Sequence, residues 1–495
     1  MAAIRFLLNG QWCSEDSVPP TMTVLDYLRT VRRLTGTKEG CAEGDCGACT
    51  VALVDTNAKG ERTYRAINSC IALLPMFAGR EVVTVEGLRR GGVLHPVQDA
   101  MVRNYGSQCG YCTPGFVLSM FEGYYRDDLT TDAQILDQLN GNLCRCTGYR
   151  PIRDAMKDAL GHRPAPGKPD VFQLRLKKNP GDVPALAYEA NGDRFLRPTT
   201  TSELLALRAA HPEAELVAGA TEIGVFINKR ASHYPLLIST EGVAELRRVK
   251  SVDGAWHVGG AVTLTALEEA LGGAIPALDK MLWVFASRPI RSRATLAGNL
   301  VTASPIGDMA PVLLALGAEV VLARRSEGGV ARRTLALADF FVDYRKTAME
   351  KDEILEWVII PAAPAGVRRV FDTFKVSKRR ELDIAIVSAG LCVDLDAAGN
   401  VQNARFGWGG VAAKPSRSPA TEDFLRGKPW SQATVDAACA ILEGEFSPIP
   451  AVNTTPRARC RGASGSCRCL APVLRRETRQ LDRSRPQRWR HAILA

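Results

Sequence analysis

Eight of the fourteen cysteines of this 495-residue chain lie in two groups within the first 150 residues. The first group is Cys41, Cys46 and Cys49, followed by a distant Cys70. The resulting C-x4-C-x2-C…C spacing is typical of a four-thiolate [2Fe–2S] site, as in plant-type iron–sulfur proteins. Three glycines in the loop 40–49 let the backbone fold around an inorganic core and aim amide N–H groups at its sulfurs.

The second group is Cys109 and Cys112, followed about thirty residues later by Cys144 and Cys146. Two cysteines separated by one residue cannot both face one point from a straight helix, so we expect Cys144 and Cys146 on a turn between helices. Zinc is the alternative metal, but structural zinc sites usually repeat a C-x2–4-C pair on both sides. Zinc at both groups would make the chain a metal-stabilised interaction protein.

Charge and hydropathy exclude several other classes of protein. The formal net charge is +10, but residues 451–495 hold eleven Arg, no Lys and two acids, so the first 450 residues are near neutral. This basic tail has no periodicity and no folded module around it, so nucleic-acid binding is not expected. Its composition resembles a shifted reading frame, and we expect it to be disordered. No run approaches the roughly 20 apolar residues of a membrane span, and no export signal is evident, which favours a cytoplasmic protein.

The elements around the cysteines differ between the two groups. Strand-like segments and one helix, at 24–34, surround the first group and predict a small α+β module. Four segments with helical apolar spacing surround the second group and predict a helix bundle, at 94–105, 114–125, 132–139 and 152–160. Further along, a strand, a small-residue loop and a helix start follow one another at 216–224, an arrangement that can offer backbone N–H groups to phosphate. Asp308 follows a second small-residue loop and could accept hydrogen bonds from ribose hydroxyls.

Two longer motifs carry a resemblance to a known family. Gly106-Ser-Gln-Cys109-Gly-Tyr-Cys112-Thr-Pro-Gly-Phe116 and Gly141-Asn-Leu-Cys144-Arg-Cys146-Thr-Gly-Tyr149 resemble the second-cluster motifs of the molybdenum hydroxylases, which include xanthine dehydrogenases and aldehyde oxidases. The resemblance implies a [2Fe–2S] cluster on Cys109, Cys112, Cys144 and Cys146, next to a molybdopterin, with Gln108 at the position that contacts the molybdenum cofactor.

The loops at 216–224 and 292–308 are, in this order, similar to the FAD-binding domain of the same family. The resemblance implies FAD contacts from Leu216, Val217, Ala218, Gly219, Ala220, Thr221, Glu222, Ile223, Phe285, Thr295, Leu296, Ala297, Gly298, Asn299, Asp308, Leu355 and Lys375. It also aligns Tyr344 with the loop beside the nicotinamide site. Without the family, Phe285 and Leu355 would be taken for core residues, and Lys375 for a charge on an exposed strand edge.

The predicted fold class is multidomain α+β. The expected order is a plant-type ferredoxin (β-grasp) [2Fe–2S] domain at 1–85, a four-helix-bundle [2Fe–2S] domain at 86–162, a linker at 163–190, an FAD-binding α+β domain at 191–365, a small α+β domain like the C-terminal domain of CO dehydrogenase flavoproteins at 366–450, and the tail at 451–495.

No remaining segment is large enough for a molybdopterin domain, so the resemblance places that cofactor, and all catalytic residues, on a partner subunit. It implies an electron-transfer subunit of the xanthine dehydrogenase branch, in an α2β2 heterotetramer with a molybdopterin-binding large subunit. Electrons from purine hydroxylation would pass through two [2Fe–2S] clusters and FAD to NAD+. An aldehyde, N-heterocycle or acyl-CoA substrate, and oxygen as the acceptor, stay open as alternatives.

Overall fold

A computed structural model describes residues 2–165, 167–178 and 183–446 of the chain. The Arg-rich segment 451–495, for which disorder is expected, lies outside the described residues. Among the helices of the described residues, none is both long enough and apolar enough to cross a bilayer.

The first unit is a five-stranded sheet that carries the first cysteine group. Its elements are β1 (Ile4–Leu8), β2 (Gln11–Glu15), α1 (Val24–Asp26), β3 (Thr50–Thr56), β4 (Arg62–Asn68) and β5 (Glu81–Val83). The strand order is β2-β1-β5-β3-β4, and β1 and β5 are parallel. The predicted helix at 24–34 is shorter, because α1 continues only as a π-helical turn, Tyr27–Val31. There the Thr30 hydroxyl donates to the Asp26 carbonyl oxygen at 2.6 Å and competes with regular helical bonding.

The second unit contains the four predicted helices. They are α2 (Pro96–Arg103), α3 (Thr113–Tyr124), α4 (Asp132–Leu139) and α5 (Arg150–Gly161). Helix α3 is buried from Gly115 to Tyr124, because it packs between the first sheet and the other helices. Cys144 and Cys146 lie on the segment between α4 and α5, as predicted. The stretch expected to be a linker contains α6 (Val171–Lys178), and the next sheet begins before residue 190.

The third unit has two sheets with helices around them. Its strands are β6 (Leu186–Ala190), β7 (Asp193–Arg197), β8 (Glu215–Val217), β9 (Leu236–Ser239), β10 (Val249–Val252), β11 (Ala255–Gly259), β12 (Glu319–Ser326), β13 (Gly329–Ala336), β14 (Phe341–Asp343), β15 (Lys346–Thr347) and β16 (Ile354–Ile360). Its helices are α7 (Thr201–Ala210), α8 (Ile223–Arg230), α9 (Leu264–Leu271), α10 (Pro276–Val284), α11 (Arg288–Arg291), α12 (Leu296–Val301), α13 (Met309–Leu316) and α14 (Leu337–Phe340). The sheet orders are β6-β7-β9-β8 and β10-β11-β16-β12-β13, and β14 and β15 form a separate hairpin.

The fourth unit is an antiparallel sheet of order β17-β18-β19-β20 covered by two helices. Its elements are β17 (Arg368–Val376), β18 (Val387–Leu395), β19 (Val401–Gly409), β20 (Ser416–Arg417), α15 (Pro419–Leu425) and α16 (Gln432–Glu445). Strands and helices are thus both present after residue 366, as the predicted α+β class requires. Trp408 is fully buried in the core between the sheet and the helices.

Buried ion pairs join the first three units. Glu122 of α3 is buried and accepts a hydrogen bond from Arg288 Nε of the third unit at 2.9 Å. The same carboxylate accepts the backbone N–H of Ala66, from the first sheet, at 3.1 Å. Elsewhere, burial would raise the pKa of Glu241, but the nearby charges of Arg293 and Arg80 hold it at about 2. Each carboxylate therefore stays charged and compensates arginines that the unit interfaces bury.

Removing the Glu122 carboxylate tests this role. Glu122→Ala leaves Arg288 buried without its anionic partner, which typically costs about 3–5 kcal/mol. We expect a lower unfolding midpoint for the helical unit, measured by far-UV circular dichroism during denaturant unfolding. Asp132→Asn removes the exposed pair between Asp132 and Lys157 of the same unit and should leave the midpoint unchanged. Equal midpoints for Glu122→Ala and the unsubstituted chain would contradict the assignment.

Candidate functional site

The four cysteines of the first group come together at one end of the first sheet. Cys41 Sγ lies within hydrogen-bonding reach of the sulfurs of Cys46 and Cys70, and Cys49 Sγ lies within reach of Cys70. Cys41 and Cys70 each contact two of the other sulfurs, so the four sulfurs form one connected set, as expected for the four thiolates of a [2Fe–2S] core. In the part of the chain that the structure describes, no three His, Cys, Asp or Glu side chains are spaced to hold a single metal ion.

Strand pairing brings the distant Cys70 to the loop. Thr50 and Asn68 are paired across the antiparallel strands β3 and β4. Cys49 comes directly before Thr50, and Cys70 follows Asn68 by two residues, so both cysteines leave the same end of the ladder. Both are buried, whereas Cys41 on the loop is partly exposed.

Backbone amides of the loop point at the first set of sulfurs. The N–H groups of Asp45 and Cys46 donate to Cys41 Sγ, with N···S distances of 3.2 and 3.3 Å. Hydrogen bonds from the thiols of Cys46 and Cys70, and from the backbone N–H groups of Cys46 and Glu43, lower the pKa of Cys41. Hydrogen bonds to thiolate sulfur are also a means by which a protein sets the reduction potential of an iron–sulfur cluster.

The sulfurs of the second group meet in two pairs, closer to the surface. Cys109 lies within reach of Cys146, and Cys112 within reach of Cys144. Cys109 and Cys146 are exposed, whereas Cys144 is buried. Thr147 lies against Cys144 Sγ through its hydroxyl oxygen at 3.1 Å and its backbone N–H at 3.4 Å. Cys144, on the inner side of the second group, is thus held by Thr147, whereas Cys109 and Cys146, on the outer side, are exposed to solvent.

The two cysteine loops contact each other directly. The backbone N–H of Leu143 donates to the carbonyl oxygen of Cys46 at 3.0 Å, so one hydrogen bond joins Cys46 to the residue before Cys144. Asn142 Nδ2 donates to the Gly47 carbonyl oxygen at 3.1 Å. Gly47 has φ of +68°, and a Cβ at this position would lie 2.1 Å from the carbonyl oxygen of Gly141. Only glycine allows this close approach.

A cavity of 610 Å³ lies on the other side of the first loop. Glu43, Gly44 and Asp45 of that loop form part of its wall, and the rest comes from the third and fourth units. The loop 218–222 enters the wall between strand β8 and helix α8, as the strand–loop–helix pattern predicts. The first cysteine loop therefore lies between the second cysteine loop and the cavity.

Most of the residues predicted to contact FAD line this cavity. These are Leu216, Ala218, Gly219, Ala220, Thr221, Glu222, Ile223, Phe285, Thr295, Ala297, Gly298, Asn299, Asp308, Leu355 and Lys375. Val217 and Leu296 are not in the lining, because their side chains are fully buried in the hydrophobic core behind it.

Three buried oxygen atoms of the lining have no hydrogen-bond partner among the described residues. They are Asn299 Oδ1, Asp308 Oδ1 and Thr240 Oγ1. Buried polar atoms are nearly always satisfied, so these oxygens fit a ligand rich in hydroxyl groups, such as the ribityl and ribose parts of FAD. The other carboxylate oxygen of Asp308 accepts a hydrogen bond from Lys375 Nζ at 2.7 Å. Burial raises the pKa of Asp308, and Lys375 partly offsets this effect.

Several lining residues were not predicted. Thr240 directly follows strand β9, whose Ser239 is paired with Val217 of the parallel strand β8. Because parallel strands end at the same sheet edge, this position could have been inferred from the strand pattern. The segment 382–385 and the cysteine-loop residues Glu43–Asp45 reach the cavity only through the packing of separate units, and no local sequence signal announces them.

Two residues named from the resemblance lie near these sites. Gln108 is exposed on the loop before Cys109. Tyr344 is 59% exposed at the turn of the hairpin formed by β14 and β15. Its neighbour Arg345 lines the cavity and pairs with Glu222 at 3.2 Å.

Four protein-family models match the chain in succession. They are described as a 2Fe-2S iron-sulfur cluster binding domain (residues 6–74), a [2Fe-2S] binding domain (84–157), an FAD binding domain in molybdopterin dehydrogenase (188–363) and a CO dehydrogenase flavoprotein C-terminal domain (372–465).

Related proteins align with 90% of the chain. Xanthine dehydrogenase of Emericella nidulans is 34% identical over 504 aligned residues, which cover 90% of this chain and 36% of the relative. Xanthine dehydrogenase/oxidase of Mus musculus is 34% identical and covers 90% of this chain and 37% of its own. The chain thus spans little more than a third of the length of these relatives.

One solved structure shares the fold of part of the chain. The reconstituted CO dehydrogenase from Oligotropha carboxidovorans is 22% identical, with a TM-score of 0.50, over 58% of this chain and 96% of that one. Together, the two cysteine sites, the cavity and the family models define a chain with two [2Fe–2S] domains and an FAD-binding domain. The chain belongs to the molybdenum hydroxylase family, of which it is the iron–sulfur and flavin part.

Substituting one cysteine of each set tests the two ligand sets separately. We expect Cys70→Ser to remove only the first cluster and Cys112→Ser only the second, because the two sets share no sulfur. Electron paramagnetic resonance of the reduced protein should show two [2Fe–2S] signals for the unsubstituted chain and one different signal for each variant. Cys439→Ser, at a buried cysteine of helix α16 outside both groups, should keep both signals. Variants that keep both signals would contradict the ligand assignment.

Proposed function

We propose that this chain is the electron-transfer subunit of a xanthine dehydrogenase, working in the cytoplasm with a molybdopterin-binding large subunit in an α2β2 heterotetramer. Its substrate-oxidising partner would hydroxylate purines, and electrons would leave this chain to NAD+. When bound, the clusters supply one-electron carriers and FAD converts single electrons into hydride transfer. The proposal is supported by relatives named as xanthine dehydrogenases that align along 90% of the chain.

The linear order of the three sites is the observation that carries the proposal. The second cysteine set opens to solvent through Cys109 and Cys146. The first set follows behind one hydrogen bond between Leu143 and Cys46, and its loop forms the wall of the flavin cavity at Gly44. The exposed second cysteine set and the cavity therefore lie on opposite sides of the first cysteine loop. We assign the exposed set to the contact with a partner, and the cavity to the side where the acceptor binds.

The exposed end fits a partner that carries molybdopterin. Gln108 and Cys109 lie on its surface, and Tyr105 beside them is 83% exposed. Aromatic side chains left in solvent next to a redox site favour a protein contact at this place. We assign this face to the large subunit, with Gln108 directed to its cofactor.

The cavity end fits a nicotinamide nucleotide. Apolar side chains flank its opening, and Ile384 of the lining is 70% exposed. Tyr344 stands on the neighbouring hairpin. We assign NAD+ binding to this opening, where a planar ring could lie over the flavin.

Activity measurements on the complex with its partner test the function. We expect hypoxanthine and xanthine to drive NAD+ reduction, followed as NADH absorbance. In the Cys112→Ser variant, purine-dependent NAD+ reduction should be lost, while NADH-dependent reduction of a dye should persist, because the flavin end is intact. The Cys439→Ser variant should retain both activities. Oxidation of an aldehyde, an N-heterocycle or an acyl-CoA without purine turnover would contradict the substrate class.

A further inference from the structure

Residues 285–293, which we call the junction segment, contact every redox site of the chain. Phe285, Ala286 and Ile290 line the flavin cavity. Ile290 also packs against the buried group that contains Cys49 and Cys70 of the first set. The segment therefore forms part of the cavity wall and also packs against the first cysteine set.

The same segment supports the second cysteine loop. Gly141, three residues before Cys144, has φ of +98°, and a Cβ there would lie 2.6 Å from the Cβ of Ser287 and 3.1 Å from Pro289 Cδ. This close packing seats the second loop on the junction segment. Gly141 is followed by Asn142, whose amide bonds the first loop at Gly47.

One buried arginine links these contacts to the cavity. Arg291 is fully buried; its Nη1 donates to the carbonyl oxygen of Phe285 at 3.1 Å. Its Nη2 donates to both carboxylate oxygens of Asp137, at 2.7 and 2.8 Å. Asp137 belongs to helix α4, which leads into the second cysteine loop. A single side chain thus joins the cavity wall to the element that carries Cys144.

We propose that Arg291 and Asp137 are positioning residues that couple flavin binding to the seating of the second cluster loop. Neither side chain lies in the cavity lining, so any effect on the flavin must pass through the lining residues of the junction segment, among them Phe285. A buried charge pair has few alternative geometries, because breaking it strands a charge away from water. A ligand that orders the wall therefore stabilises the pair, and by thermodynamic reciprocity the pair strengthens binding of the ligand.

The inference rests on the proposed function only through its FAD and cluster assignments. The test uses the full chain, from which FAD is removed and then titrated back. We expect Asp137→Asn and Arg291→Gln each to raise the Kd of FAD about tenfold, the size of a typical coupling between sites. The double variant should bind FAD no more weakly than Arg291→Gln alone, because Arg291→Gln already removes the pair with Asp137.

A spectroscopic measurement separates positioning from a general loss of stability. In the unsubstituted chain, removal of FAD should change the paramagnetic resonance signal of the reduced second cluster, and Asp137→Asn should abolish that change. Retained visible absorbance of both clusters shows that each variant is folded. Asp132→Asn, an exposed position on the same helix, should behave as the unsubstituted chain.

Two results would overturn the proposal in different ways. Unchanged Kd values and an unchanged response of the second cluster to FAD, in both single variants, would refute the coupling alone. Failure of the unsubstituted chain to bind FAD would refute the coupling together with the cofactor assignment beneath it.

Discussion

The hydrogen bond from the Leu143 N–H to the Cys46 carbonyl oxygen places the two cysteine loops in contact, and the order of the sites depends on it. Electron transfer between cofactors requires short separations. This hydrogen bond joins the backbone of Cys46, in the first set, to the residue directly before Cys144, in the second set. Gly47 and the carbonyl of Gly141 are packed too closely to admit a Cβ. The contact is thus set by backbone atoms, which are less free to move than side chains.

Buried ion pairs at the unit interfaces also fix the relative positions of the cysteine loops and the cavity. The interfaces bury Arg288 and Arg291, and each meets a carboxylate from the helical unit. Buried pairs of this kind add little net stability compared with apolar packing, but each one penalises any other arrangement of its two units. The separation between the cysteine loops and the flavin cavity is therefore held by interactions that tolerate little displacement.

Local sequence was sufficient where the signal is local. The cysteine spacings predicted which four sulfurs come together in each group, the apolar periodicity predicted the four helices, and the two small-residue loops predicted part of the cavity lining. The helix at 24–34 was predicted too long, because apolar periodicity does not register the Thr30 hydroxyl that bonds back to the chain. The side chains of Val217 and Leu296, which were predicted to contact FAD, lie in the hydrophobic core behind the cavity. Contacts between units, such as Glu43–Asp45 at the cavity and Arg291 with Asp137, arise from tertiary packing and have no sequence signature.

Metal and flavin analysis of the purified chain, joined to electron paramagnetic resonance after reduction, tests the central claim most directly. The account predicts two iron atoms for each four-cysteine set, bound FAD, and two distinct signals that broaden one another because the loops touch. Zinc in place of iron, without flavin and without a signal on reduction, would contradict it.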